Sequence, residues 1–153
     1  MNTYSQERLE NFLKQHALAA LLLSDPHSLT WLTGYVPPIQ TGPNPFEGGP
    51  ALAWVAGRQV TLVASDAEAG AAKVCEAEVQ EYLSYTIEAP IAGLANQAQA
   101  LVKVLSAFGS LKGTIGVEMN QLQAFTSIIS GITENQLLKN WFSCVKTSEE
   151  IFI

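Results

Sequence analysis

The sequence predicts a three-layer α/β/α domain built on a mixed sheet of about five strands. Three observations point there. Ala19 to Leu23 is a continuous apolar run, too short for a helix, that reads as a strand covered on both faces. Strand-like and helix-periodic segments then alternate along the chain, the pattern of parallel strands joined through helices. One hairpin signature, Gly57-Arg58 between two apolar runs, adds an antiparallel pair.

Taken in order, Ser5 to His16 places Leu9, Phe12 and Leu13 on one helical face, with Glu7, Arg8, Glu10, Asn11 and Lys14 elsewhere. The Ala19–Leu23 strand comes next and is expected in the interior of the sheet. Asp25-Pro26 supplies an N-cap carboxylate and a proline at the first helical position, so a short helix runs through Trp31 and ends at Gly34. From Tyr35 to Pro50 the chain carries Pro37, Pro38, Pro43, Pro45 and Pro50, five of its 7 prolines, with Gly42, Gly48 and Gly49. Proline fixes φ and lacks a donor, so this stretch is a long surface loop. Leu52–Ala56 and Gln59–Ala64 form the hairpin, with a glycine at the first central position of a type II′ turn.

Asp66 is expected to cap an alanine-rich helix from Ala67 to about Val74, and Val79–Tyr85 reads as a strand. Ile91 to Phe108 is the clearest helix, with Ile91, Leu94, Ala95, Ala98, Leu101, Val102, Leu105 and Phe108 on its apolar face and Gly109 at its end. Thr114–Glu118 is a short strand. Asn120 and Gln123 match a capping box that opens a helix burying Leu122, Phe125, Ile128 and Ile129. Thr147 and Glu150 repeat the capping-box spacing, with Ile151 and Ile153 beginning an apolar pattern. One helical turn is not stable alone, so this pattern predicts a longer chain, with a domain over 1–146 and the start of a linker helix at 147–153.

Composition narrows the function classes. With 153 residues, 48% apolar and 14% charged, the chain is long enough for one well-filled core and too apolar to be disordered. No apolar run reaches the ~18 to 20 residues of a membrane span. Eight Lys+Arg against fourteen Asp+Glu give a net charge of −6, so nucleic acid is not an expected partner. The amino end lacks a basic segment followed by an apolar one, and Cys75 and Cys144 form no CxxC unit, so a reduced, cytoplasmic protein is expected.

Catalytic chemistry is thin. The aspartates are Asp25 and Asp66 and the histidines His16 and His27, with no HxH, HExxH or DxD cluster. His16 closes a helix and His27 sits in a first turn, where capping and solvation account for them. Glu149 and Glu150 are adjacent and point apart on a helix. Cys75 precedes Glu76 and Glu78, which disfavour a thiolate. Ser24-Asp25-Pro26-His27 gathers triad residue types, but helix capping already explains the aspartate. Gly48-Gly49-Pro50 leads into a strand, so no phosphate cradle forms. No catalytic or metal-ligating residue is assigned. Trp54, amid apolar neighbours, is expected in the core; Tyr35 and Phe46, flanking the proline-rich loop, are the candidate contacts for a ligand or partner.

Three stretches stand out together: the Arg8-Leu9 helix with Ala19-Ala20-Leu21-Leu22-Leu23 and Trp31-Leu32-Thr33-Gly34-Tyr35, the strand end Gly116-Val117-Glu118, and the junction Val145-Lys146-Thr147-Ser148-Glu149-Glu150-Ile151. In this order and spacing they resemble the amino-terminal domain of the creatinase/prolidase/aminopeptidase P family. The arginine usual in that junction is absent, Phe142 or Ser143 standing in its place. The resemblance implies a ribonuclease H-like fold for a non-catalytic domain that mediates homodimerisation and walls the active-site entrance of a metal-dependent Xaa-Pro peptidase. It further implies a carboxy-terminal pita-bread catalytic domain, absent from this sequence, that supplies two Asp, one His and two Glu to two divalent ions (Mn, Co or Zn). By this analogy the Gly34 to Pro50 loop would reach a catalytic pocket of the same or the partner subunit, with Tyr35 and Phe46 as the candidate entrance or partner contacts, while the resemblance carries over no particular substrate-contacting residue. The alternative is a stand-alone ligand-binding or interaction module without peptidase activity.

Overall fold

The computed structural model describes residues 3–38, 49–75, 77–86, 88, 91–108, 113–118 and 145–148. They form α1 (Thr3–Gln15), β1 (Leu18–Leu23), α2 (Pro26–Thr33), β2 (Leu52–Ala56), β3 (Gln59–Ser65), α3 (Asp66–Ala72), β4 (Glu78–Tyr82), α4 (Gly93–Ala107), β5 (Thr114–Glu118) and β6 (Val145–Ser148). The strands make one sheet in the order β4-β3-β2-β1-β5-β6. β1 is interior, parallel to β5 and antiparallel to β2. β3 runs antiparallel to β2 and parallel to β4, and β6 runs parallel to β5. Thus β2 alone opposes the others.

Side-chain alternation along the strands creates two cores. Ala20 and Leu22, Leu52 and Trp54, Val63, and Ile115 and Val117 face α4, where they meet Ala98, Leu101, Val104 and Leu105. Leu21 and Leu23, Ala53 and Val55, and Leu62 and Ala64 face the other way, against Leu9 and Leu13 of α1, Leu29 and Leu32 of α2, and Ala72 of α3. The three-layer α/β/α architecture and mixed sheet expected from the sequence are therefore present. Among the described residues no helix is long and apolar enough to cross a membrane.

Local chemistry sets the boundaries. Asp25 takes the N-cap position of α2, its carboxylate accepting from the His27 and Ser28 amides, and Gly34 closes the helix in the left-handed region. Eight residues fall short of a stable isolated helix, so packing holds α2: Leu29 and Leu32 are each 1% exposed, burial on the order of 1.5–3 kcal/mol apiece. Gly57 takes φ +59° while Arg58 is not among the positive-φ residues, the sign pattern of a type II′ turn that joins β2 to β3.

Four details differ from the sequence reading. Helix α3 begins at Asp66 itself, with Ser65 in the N-cap position and making no side-chain cap bond, and the Asp66 carboxylate accepts from Ser84. That bond takes the Ser84 amide, and β4 ends at Tyr82 rather than Tyr85. The buried face of α4 is rotated from the expected one: Leu94 is 42% exposed and Ala95 exposed, while Gln97, Ala100 and Val104 are buried. Finally, Val145–Ser148 adds a sixth strand at the β5 edge, so Ser148, expected in the first turn of a helix, pairs with Glu118 in extended backbone. The helix expected at Asn120, its buried face, the Gly109 stop and residues 149–153 lie outside the described residues.

Candidate functional site

Because β1, β3, β4 and β5 run the same way, their carboxyl ends Leu23, Ser65, Tyr82 and Glu118 gather at one end of the sheet. In open α/β sheets this end is where loops and helix N-termini converge on ligands. Here it also receives the end of the proline-rich segment, since Gly49 and Pro50 lead into the start of antiparallel β2.

Glu118 is the most constrained polar group of this end. It is 5% exposed, and its carboxylate accepts from the backbone amides of Ser24 (3.0 Å) and Asp25 (2.7 Å) and from the Ser28 hydroxyl (2.6 Å). A carboxylate buried this way would be costly without such donors, and the positive end of α2 suits it. Asp66 makes a parallel arrangement: its Oδ1 accepts from the Ser84 amide (2.9 Å) and hydroxyl (2.7 Å). Burial opposes ionisation of Asp66. The Ser84 hydroxyl and amide, with the amides of Asp66 and Ala67, outweigh it and hold the carboxyl below its ordinary range.

The two ends of the proline-rich segment are fixed to opposite faces of the sheet. At its start the Tyr35 amide donates to Thr33 Oγ1 (3.1 Å), which in turn donates to the Leu29 carbonyl (2.7 Å), and the Tyr35 ring packs in the core shared with α1–α3. At its close the Tyr82 hydroxyl donates to the Gly49 carbonyl (3.0 Å), and Gln97 of α4, fully buried, donates through Nε2 to the Pro50 carbonyl (2.6 Å). Gly49 sits so close to Gln97 Oε1 and Leu94 that any Cβ there would collide.

The sequence-based contact residues fare unequally. Tyr35 is 2% exposed, its ring covered in the core shared with α1–α3. Burial, then the charge of the neighbouring Glu68, raises its phenol pKa far above the usual value. Phe46 lies outside the described residues. Trp54 is buried as expected, edge-on to Phe108 at 6.2 Å between centroids. Trp31 is half-buried, with the Arg8 guanidinium 5.6 Å from its ring centroid. His16 and His27 are both exposed, and Asp25 caps α2 rather than orienting His27 for catalysis. Sequence reasoning missed the roles of Glu118 and Gln97. The one signal for Glu118 was a lone carboxylate ending an apolar strand; Gln97, a polar residue facing inward on a helix, gave none.

Chemically, this end is built to hold backbone. Glu118 and Asp66 spend oxygens on amide and hydroxyl donors, and among the described residues no group of three or more His, Cys, Asp or Glu is placed to hold a metal ion. A depression of about 360 Å³ lies at the opposite end of the sheet, between Leu13, Lys14 and Leu18 and the Gly57-Arg58 turn, away from these groups.

Comparison with known proteins places this scaffold. Residues 6–139 match the family model of the creatinase/prolidase N-terminal domain, and the chain belongs to that family. No curated protein matches the sequence. Among solved structures, the N-terminal domain of an X-Pro dipeptidase from Streptococcus pyogenes is similar at TM-score 0.58 and 17% identity, over 84% of this chain and 88% of that one. A proline dipeptidase from Streptococcus agalactiae is similar at TM-score 0.57 and 20% identity, over 96% and 94%. The X-Pro aminopeptidase of Thermotoga maritima is similar at TM-score 0.58 and 18% identity; the match covers 93% of this chain but only 32% of that enzyme. At such identities these likenesses establish the fold.

Proposed function

We propose that the chain serves as the non-catalytic amino-terminal domain of a metal-dependent Xaa-Pro dipeptidase or aminopeptidase-like hydrolase, joining two copies and shaping the entrance to the active site. One observation carries the reading: the fold matches 88% of the solved N-terminal domain of an X-Pro dipeptidase, yet about a third of an X-Pro aminopeptidase. The bond-cleaving groups, with two divalent ions such as Mn, Co or Zn, belong in this reading to a carboxy-terminal domain. The proline-rich segment, tied at Tyr35 on one face and at Gly49-Pro50 on the other, is the part suited to wall a neighbouring pocket. A cytoplasmic setting fits the free thiol of Cys75.

The test is an assay of the purified 153-residue chain on Xaa-Pro dipeptides with Mn²⁺, Co²⁺ or Zn²⁺ supplied, alongside metal analysis. The expected result is no turnover and no stoichiometric metal. Saturable binding of two ions per chain together with hydrolysis would overturn the proposal.

A further inference from the structure

We propose that Glu118 is a positioning residue that fixes the pose of α2 and, through α2, of Tyr35 at the start of the proline-rich segment. Helix α2 is only eight residues long, and its leucines provide adhesion to the sheet without direction, since apolar contact tolerates sliding. Its axial position needs a directional contact, and the structure provides one from a residue 94 positions away in the chain. The Glu118 carboxylate binds the Ser24 and Asp25 amides through Oε2 and the Ser28 hydroxyl through Oε1, so both oxygens grip the helix entrance. Asp25 engages the next amides, those of His27 and Ser28. The donors at this end are therefore committed, two of them to the end of the interior strand β5.

The far end of α2 is tied as firmly to the start of the proline-rich segment. Thr33 Oγ1 links the Leu29 carbonyl to the Tyr35 amide, and Gly34 donates its amide to the Thr30 carbonyl. Tyr35 is thus carried by the last turn of α2, while Glu118 holds the first. A shift at the carboxylate is transmitted along one rigid helical segment to the residue where the proline-rich segment begins. The inference involves only groups within this domain, so it stands or falls separately from the hydrolase reading.

Hydrogen exchange on the 153-residue chain, with ¹⁹F NMR of 5-fluorotryptophan-labelled protein, tests it for Glu118→Gln and Glu118→Ala. Trp31 reports α2, and Trp54 and the β2–β3 amides report the sheet. The expected result is that α2 amides and the Tyr35 amide exchange about tenfold faster, or more, relative to β2–β3, and that the Trp31 resonance moves while that of Trp54 stays. Glu118→Gln, which keeps one acceptor oxygen, should show the smaller change and supplies the same comparison if the alanine variant does not fold. Equal acceleration of α2 and β2–β3 would reduce Glu118 to a general stabiliser and overturn the proposal. So would a loosened α2 with an unmoved Tyr35 amide, or no selective change in either variant.

Discussion

Ala17 is the one non-glycine among the described residues with positive φ, at +51°, in the tight link between α1 and β1. An L-residue in this region carries a cost of about 1–2 kcal/mol that glycine escapes, less the extra freedom glycine brings to the unfolded chain. Ala17→Gly should therefore raise stability by about 0.5–1 kcal/mol, read as a higher urea midpoint; a lower midpoint would contradict the argument. Asp66 gives a pH prediction. Its carboxyl pKa is lower in the folded chain, so the stability it contributes is present above its unfolded value, about 3.9, and is lost as pH falls through the folded value. Urea unfolding should show wild type more stable than Asp66→Asn by a constant margin from pH 7 to 5, closing below about pH 4. A margin independent of pH down to the acid limit would show that the charge is not what matters.

Among the elements, α4 shows why periodicity reveals that a helix exists more readily than which side it buries. The apolar pattern of Ile91 to Phe108 located the helix, but Gln97 is buried because Pro50, distant in sequence, presents a carbonyl to it. Replacing Gln97 with leucine keeps the bulk, takes the donor from the half-buried Pro50 carbonyl and removes the unpartnered Oε1, a net loss on the order of 1 kcal/mol. Thermal melts of Gln97→Leu should fall accordingly, whereas Gln99→Leu, on the exposed side of the same helix, should change little. Gly49→Ala should also destabilise, since its methyl meets Gln97 and Leu94, and the Gln97→Ala background should relieve part of that strain. Elements marked by local chemistry were legible from sequence alone: Asp25-Pro26 and Gly34 bounded α2, and Gly57-Arg58 placed the hairpin. Features set by distant partners were not. The end of β4 depends on Asp66 reaching Ser84, and β6 depends on pairing with β5, neither of which leaves a periodic trace.

For the molecule as a whole, the order of strand-like and helical runs was enough to predict the layered architecture, and the motif order pointed to the family before any geometry was known. The candidate site was less legible, because its work is done by backbone groups and by buried residues such as Glu118 and Tyr35 whose side chains carry no catalytic signature. At this scale the proposed pairing of two copies has its own measurement: sedimentation equilibrium at micromolar concentration should return twice the chain mass, and a monomer throughout would remove dimerisation from the reading. The strand order has a further effect during synthesis. β1 lies at the heart of the sheet, yet one of its two neighbours, β5, is completed only at Glu118. At ribosomal rates of ~5–20 residues per second, the run from Leu23 to Glu118 takes roughly 5–20 s. Throughout that interval the nascent polypeptide exposes a greasy, hydrogen-bond-hungry border. Slow codons in that stretch should therefore swell the insoluble fraction on expression, without altering a single amino acid.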